Sequence, residues 1–167
     1  MNAALASETV TVRLADYADP EDAALIVALL DAYARDPMGG GNPLADDVRQ
    51  RLVPALAAHS GAFSLLAFVG DKVLGLANCM TGFSTFAARP LINIHDMAVL
   101  PEARGHGVGK ALMRAVESEA RRRGACKVTL EVLSGNHVAK GLYAAMGFGD
   151  YALGPEAGTA QFWEKKL

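Results

Sequence analysis

The stretch Arg104-Gly105-His106-Gly107-Val108-Gly109-Lys110 decides the fold of this chain. It follows residues 91–100, an apolar segment that is typical of a strand. It precedes and enters residues 108–123, where apolar positions recur at helical spacing and predict a helix. Glycine lets the backbone approach a ligand closely, and free amides at the start of a helix attract anions. The spacing therefore predicts a strand–turn–helix unit with a diphosphate-sized anion site, to which Arg104 and Lys110 add positive charge.

Two other phosphate-binding motifs fit this turn less well. A P-loop requires Gly-x-x-x-x-Gly-Lys-Ser/Thr, whereas Gly105 and Gly109 are one residue too close and Ala111 stands where the hydroxyl is needed. A dinucleotide fold requires Gly-x-Gly-x-x-Gly directly after the strand, but Lys110 takes the third glycine position. Because Glu131 lies where a ribose-binding acid is expected, a nucleotide-binding module stays open as an alternative.

Composition indicates one globular domain. The chain has 167 residues, of which 51% are hydrophobic and 20% charged, and its net charge is −2. This length is typical of one domain, so we expect residues 1–167 to form a single domain. A general nucleic-acid binder carries a basic excess, and no apolar run reaches membrane-spanning length. We therefore expect neither a nucleic-acid partner nor a membrane partner.

The cysteines, the histidines and residues 1–10 indicate where the protein is located and whether it binds a metal. Residues 1–10 have no basic residue ahead of an apolar core, which argues against a secretory leader. Cys79 and Cys126 are isolated, as expected of reduced thiols. The four histidines show no paired metal-ligand spacing. We expect a cytoplasmic protein with no metal site.

Hydrophobic patterning predicts the element order β-α-α-β-β-β-α-β-α-β-β, a mixed α/β fold. The predicted strands cover residues 9–14, 63–69, 72–80, 91–100 and 127–133, with one or two more in 148–167. The predicted helices cover about 20–34, 45–58, 108–123 and 136–146.

Two motifs resemble those of one family. Arg104-x-x-Gly107-x-Gly109 resembles the acetyl-CoA signature of the GNAT N-acetyltransferase superfamily. A second block is similar to that family's Asn-x-x-Ala-x-x-Leu-Tyr-x-x-x-Gly-Phe helix and comprises Asn136, Ala139, Leu142, Tyr143, Gly147 and Phe148. The resemblance is strongest over residues 91–148. It implies an α/β (α+β) GNAT fold with a mixed central sheet of about six to seven strands flanked by about four helices, and a homodimer.

The resemblance also implies which residues hold acetyl-CoA. In the family, the strand before the turn pairs through its backbone with the pantetheine arm, which transfers here to Met97, Ala98 and Val99. The amide of Met97 or Ala98 would be the oxyanion donor, and Asn136 would bond the pantetheine arm. The other implied cofactor-binding residues are Arg104, Gly105, His106, Gly107, Val108, Gly109, Lys110, Ala139 and Tyr143.

Tyr143 is the predicted general acid. Asn136, Ala139 and Tyr143 share one face of the predicted helix, opposite an apolar stripe expected to face the core, namely Val138, Leu142, Ala145 and Met146. In the family the matching tyrosine lies beside the cofactor sulfur, and a phenol with a pKa near 10 can protonate a thiolate whose thiol pKa is near 8.5. The alternative is a structural tyrosine that packs on the cofactor.

His95 and Asp96 are polar residues in an otherwise apolar strand. Alternation places them on opposite faces. A histidine titrates near pH 6.5 and can accept an amine proton, so His95 is a candidate base, and Asp96 is a candidate holder of a cationic acceptor. The alternative for His95 is a structural role. Polyamine-type members of the family have an acidic pair here, from which His95 departs.

These features together predict an acetyl-CoA-dependent acyltransferase that acetylates the primary amine of a small molecule by direct attack. The alternatives are a protein N-terminal or lysine acetyltransferase and a non-catalytic module that binds acyl-CoA or a nucleotide. The resemblance places the acceptor pocket among residues that could equally fill a core or an interface: Tyr33, Asp36, residues 38–42, Phe83, Phe86, Tyr151 and Trp163.

Overall fold

The strand-forming segments before residue 131 pair into one mixed sheet. The computed structural model describes residues 9–167. Its five-stranded sheet contains, in spatial order, β1 (Val10–Leu14), β2 (Ala62–Val69), β3 (Lys72–Ser84), β4 (Arg89–Val99) and β5 (Val128–Leu130). β1 to β4 pair antiparallel, and β5 lies parallel to β4. The chain between β4 and β5 therefore crosses over a sheet face, as parallel pairing requires.

The helices begin and end where local chemistry allows. They are α1 (Pro20–Arg35), α2 (Asp46–Ala58), α3 (Val108–Arg122) and α4 (His137–Ala145). Asp19 caps α1 by accepting a hydrogen bond from the Glu21 amide, and Pro20 occupies the first turn, where its missing N–H costs nothing. Short 3-10 helices at Pro37–Gly39 and Pro101–Ala103 follow α1 and β4.

The two faces of the sheet pack against different helices. One face contacts α1 and α2 through the buried residues Ile26, Leu29, Val53, Leu56, Leu66, Leu76 and Ala98. Gly75, the neighbour of Leu76, faces α3, since successive strand residues point to opposite faces. A Cβ at Gly75 would lie 2.9 Å from Val108 Cγ1 and 3.0 Å from Leu112 Cδ1. Glycine at this position thus lets the start of α3 lie directly against the sheet.

Residues 131–167 form a second compact unit. It contains α4 and a two-stranded sheet of β6 (Ala152–Gly154) and β7 (Gly158–Thr159). Several large hydrophobic side chains of this unit are exposed, among them Val138, Leu153, Phe162 and Trp163. The single domain expected over residues 1–167 stays a prediction.

The predicted element order and the α/β fold class are confirmed. The size of the central sheet differs from expectation, because five strands of the described chain form it rather than six to seven. The two closing strands pair with each other through a short hairpin at Gly154 and Gly158. The prediction that the chain has no secretory leader was based on residues 1–10, of which residues 1–8 lie outside the described residues. From residue 9 onward, no helix is both long and apolar enough to cross a membrane.

Candidate active site

The glycine-rich turn connects β4 to α3 with an open backbone. After the 3-10 helix Pro101–Ala103, Gly105 and Gly107 adopt φ values of +82° and +85°, a region in which residues with a Cβ are strained. A Cβ built on either glycine would meet no atom within 4 Å. The backbone of the turn is therefore accessible to a ligand of the anionic kind that the sequence predicted.

The first turn of α3 presents backbone amides without helical acceptors. Gly107 is the N-cap and has no side chain with which to cap, and the ladder begins with the Ala111 N–H donating to the Gly107 oxygen at 2.9 Å. The amides of Val108, Gly109 and Lys110 therefore have no partner within the helix. Together with the helix dipole they suit an anion. The Val108 side chain is buried in the core, so only its amide can contribute.

Arg104 is already engaged within the protein. Its guanidinium pairs with Asp36 Oδ2 at 2.8 Å, and its Nε donates to the Val99 oxygen at 3.2 Å. The hydrogen bond from Arg104 holds the pKa of Asp36 below its usual value. Arg104 therefore connects the segment after α1 to the end of β4. The sequence predicted that Arg104 binds the diphosphate and did not predict its pairing with Asp36.

The cofactor-binding segment predicted in β4 extends beyond β5. The parallel pairing runs from Ile92 opposite Val128 to Ile94 opposite Leu130. β5 ends there, whereas β4 continues to Val99 and pairs on its other side with β3. Met97, Ala98 and Val99 thus lie in the part of β4 that β5 does not cover.

A β-bulge in β4 changes the orientation of Asp96. Ile94 pairs with Cys79, and Asp96 pairs with the adjacent residue Asn78, which leaves His95 as the extra residue. Ile94 and Asp96 therefore point to opposite faces, although plain alternation would place both on one face. Asp96 lies on the α1/α2 face, half-buried, and accepts a hydrogen bond from Asn78 Nδ2 at 3.1 Å, while His95 is exposed.

A cavity of about 230 Å³ lies between the end of α1 and the end of β4. Tyr33, Asp36, Ala98, Val99 and Arg104 are among its lining residues. Burial raises the pKa of the Tyr33 phenol, and the nearby charges of Asp96 and Asp36 raise it further. Arg35 and Arg104 line the cavity as well, and Arg104 pairs with Asp36, so the lining is not acidic overall.

Other predicted pocket residues are placed less favourably. A larger groove of about 610 Å³ lies between α1 and α2, but its charged residues, Asp31 and Arg49, pair with each other at 2.8 Å. Phe83 and Phe86 are exposed at the β3–β4 hairpin. Tyr151 and Trp163 are exposed in the second unit. Only Tyr33 and Asp36 of the predicted acceptor residues line the smaller cavity.

In the second unit, α4 carries Asn136, Ala139 and Tyr143 on its less exposed side. Asn136 is the N-cap, and its Oδ1 accepts from the Ala139 amide at 3.1 Å. The ring of Tyr143 lies 6.2 Å from that of Phe148, with an interplanar angle of 52°. The predicted core-facing stripe is wrong at Val138, which is 79% exposed, and at the exposed Ala145, whereas its other members, Leu142 and Met146, are half-buried.

The two cysteines differ in burial. Cys79 is fully buried, and burial raises the pKa of its thiol to about 12, so it stays protonated near neutral pH. Cys126 is partly buried. Within residues 9–167, no group of three histidine, cysteine or acidic side chains could hold a metal ion.

Sequence reasoning missed two residues of this region. Asn78 contacts Asp96, and its position within an apolar strand was the available signal. Gly75 sets the distance between α3 and the sheet, but a glycine inside a strand pattern shows no close approach until the partner helix is known.

The class of the protein follows from the glycine-rich turn, from the part of β4 that β5 does not cover, and from the order of the helices and strands. The model of the acetyltransferase (GNAT) family matches residues 26–148. The chain belongs to this family.

Similar proteins agree with this class. Mycothiol acetyltransferase from Renibacterium salmoninarum is 25% identical over 130 residues, which are 78% of this chain and 38% of that protein. Thialysine N-epsilon-acetyltransferase from Bos taurus is 35% identical over 81 residues, which are 48% of this chain and 47% of that protein. The chain thus spans less than half the length of either relative.

The fold is shared with solved structures. One is an aminoglycoside acetyltransferase from an uncultured soil metagenomic sample, crystallised in complex with sisomicin. It matches with a TM-score of 0.75 and 15% identity, over 95% of this chain and 97% of that one.

Proposed function

We propose that this chain transfers an acetyl group from acetyl-CoA to the primary amine of a small molecule by direct attack. The observation that carries the proposal is the open turn at Gly105 and Gly107, with the unpaired amides of α3 behind it. Family membership supports acetyl-CoA as the ligand of this turn, and relatives named for mycothiol and thialysine support a small acceptor.

The residues present fit acetyl-CoA. Gly105 and Gly107, with their positive φ values, and the amides at the start of α3 suit its diphosphate. Residues 97–99 of β4, which β5 does not cover, offer backbone groups to its pantetheine arm. Asn136 would use its Nδ2, since its Oδ1 caps α4. Acetyl-CoA, when bound, supplies an activated acetyl thioester. The amide of Met97 or Ala98 would donate a hydrogen bond to the thioester oxygen.

The acceptor amine must lose a proton before it attacks. Asp96, on the same face of the sheet as α1, would hold the acceptor as an ammonium ion, and the exposed His95 would accept the proton through water. A covalent route through Cys79 is disfavoured, because a thiol with a pKa of about 12 is a poor source of thiolate. Direct attack therefore remains the simpler route for this chain.

Tyr143 would donate the proton to the leaving thiolate. If so, Tyr143→Phe lowers kcat by about 100-fold, the size expected for losing a general acid. The affinity for acetyl-CoA, measured by calorimetry on the same sample, should stay within about twofold. An unchanged kcat would assign Tyr143 to packing alone.

The whole proposal is tested by calorimetric titration with acetyl-CoA, CoA, NAD and ATP, followed by a thiol-release assay over small amines and over peptides. We expect selective binding of acetyl-CoA and release of CoA with small amines. Tighter binding of NAD or ATP would indicate a nucleotide-binding module. Release with peptides only would indicate a protein acetyltransferase, and binding without release would indicate a non-catalytic module.

The cytoplasmic location and the homodimer stay predictions, which fractionation and light scattering of the full chain would test.

A further inference from the structure

A row of hydrogen-bonded polar side chains crosses the α1/α2 face of the sheet and ends at Asp96. Tyr17 Oη lies 2.8 Å from Ser64 Oγ, which donates to Asn78 Oδ1 at 2.6 Å. Asn78 Nδ2 in turn donates to Asp96 Oδ2 at 3.1 Å. Strand register places Ser64 beside Asn78 and Asn78 beside Asp96. The row thus links the segment after β1 with three consecutive strands.

The donors of this row all point toward the carboxylate. The single hydroxyl hydrogen of Ser64 is used on Asn78, so Tyr17 donates to Ser64. The Asn78 amide then directs an N–H at Oδ2 of Asp96. Bonds in such a chain polarise one another in the same direction.

The row lies where apolar residues would hold the sheet equally well. Ser64 and Asn78 are each 1% exposed, and the adjacent residues on this face include Leu66 and Leu76 of the core cluster. A buried hydrogen bond adds little net stability, because folding exchanges it for bonds to water, and replacing both partners by apolar groups of the same shape can be neutral or stabilising. Packing alone therefore gives no reason for a serine and an asparagine at these positions.

The bulge at His95 brings Asp96 into the row. Without the extra residue, Asp96 would point to the same face as Ile94. Ile94 is the cross-strand partner of Cys79, and both side chains lie on the α3 face of the sheet. With it, Asp96 faces Asn78, and the pKa of Tyr33 is raised in part by the Asp96 charge. Asp96 also shares the α1/α2 face of β4 with Ala98, two residues further on, and Ala98 lines the cavity at the end of α1.

We propose that Asn78 and Ser64 are positioning residues that hold Asp96 for an acceptor that enters as a primary ammonium ion. Asn78 engages Oδ2 of Asp96, which directs Oδ1 to the acceptor N–H groups. This inference rests on the proposed acetyl transfer and deepens it by assigning a cationic acceptor.

The test compares two buried neighbours on opposite faces of β3. Asn78→Leu removes the amide and keeps the number of side-chain heavy atoms, and Cys79→Ala serves as the control for a buried defect. We expect Asn78→Leu to raise the KM of the amine by about tenfold, as when one charge-assisted hydrogen bond is lost. Its kcat and its acetyl-CoA affinity should stay unchanged, and Cys79→Ala should leave all three unchanged. An amine KM that moves equally in both variants would overturn the inference.

A rescue and a double variant separate positioning from packing. Ser64→Ala should raise the amine KM, and Ser64→Thr, which keeps a hydroxyl, should restore it. Asp96→Asn combined with Asn78→Leu should cost no more than Asp96→Asn alone, because residues that act as a unit are not additive. Additive effects would contradict the inference.

A binding probe keeps the inference testable if no amine is acetylated. Butylammonium should bind the wild type and bind Asn78→Leu about tenfold more weakly, whereas butanol should bind neither. Equal binding of butylammonium to both proteins, or to neither, would overturn the inference. Failure of acetyl-CoA to bind in the same samples would instead overturn the proposed function.

Discussion

The N-terminal and C-terminal ends of α3 satisfy their backbone and charges in different ways. At the C-terminal end, the buried Glu119 accepts hydrogen bonds from Arg122 at 2.6 and 2.8 Å and from Arg123 at 2.6 Å. The Arg123 guanidinium lies 4.1 Å from the centroid of the Phe63 ring, a cation–π distance. At the N-terminal end, Gly107 provides no cap and the first amides have no helical acceptor.

This difference separates stabilisation from binding within one helix. Cations at the C-terminal end complement the helix dipole and stabilise the fold without a ligand. The N-terminal end leaves its partial positive charge and its amides available. We therefore expect changes at the C-terminal end to alter stability, and changes at the N-terminal end to alter acetyl-CoA affinity.

The largest effect is expected from a valine at Gly107. A β-branched residue at a φ of +85° is strained and covers the backbone that faces the ligand. Gly107→Val should weaken acetyl-CoA binding by about 100-fold, or about 2.7 kcal/mol, in calorimetry.

Gly124 provides a matched control for this variant. It follows the C-terminal end of α3 with a φ of +69°, and a Cβ there also meets no atom within 4 Å. Gly124→Val should lower the melting temperature about as much as Gly107→Val does, because both glycines have a positive φ. It should leave acetyl-CoA affinity unchanged. Equal losses of affinity in the two variants would remove the distinction between the ends.

The next effect concerns stability at the C-terminal end. Glu119→Gln removes a charge that holds two arginines, so the free energy of unfolding should fall by about 2 kcal/mol in urea denaturation. Acetyl-CoA affinity should not change. Glu117→Gln is the control, because the Glu117–Arg121 pair is more exposed and spans 3.2 Å. Its expected cost is about 0.3–0.5 kcal/mol.

The same carboxylate predicts a pH dependence. Hydrogen bonds from Arg122 lower the pKa of Glu119 below its usual value. A group with a lowered folded-state pKa contributes stability above its unfolded pKa, about 4.3, and loses it as pH falls through the folded pKa. Thermal melts of wild type and Glu119→Gln should therefore differ at pH 6, and the difference should shrink progressively as the pH falls below about 4.3 towards the folded pKa. A constant difference across this range would contradict the assignment.

The smallest effect is expected at Arg104. Because its guanidinium pairs with Asp36, Arg104→Gln should weaken acetyl-CoA binding by only about threefold, within the range of a partly exposed ion pair. Titrations at low and high salt measure the change. A loss above about tenfold that vanishes at high salt would show that Arg104 contacts the diphosphate instead.

Local patterns predicted much of this architecture. The helical spacing of Val108, Leu112 and Val116 located α3, and Gly70-Asp71 located the turn between β2 and β3. These signals lie within a few residues of the elements that they specify. The predicted end of β4 at residue 100 and the observed end at Val99 agree for the same reason.

Features that depend on pairing could not be predicted in this way. The bulge at His95 arises from the register of β4 against β3, and the Arg104–Asp36 pair joins residues 68 positions apart. Val138 was assigned to a core-facing stripe from its spacing in α4, but spacing alone does not show which face is covered. The candidate site could thus be located at the turn from the sequence, whereas the orientation of Asp96 required the structure.

The most direct test of the account follows backbone amides by NMR during titration with acetyl-CoA. We expect shifts in proportion to binding in the amide signals of Gly105, Gly107, Val108, Gly109 and Lys110. Those of residues 121–124, at the other end of the same helix, should stay in place. Shifts confined to residues 121–124, or none at residues 105–110 when acetyl-CoA is bound, would contradict it.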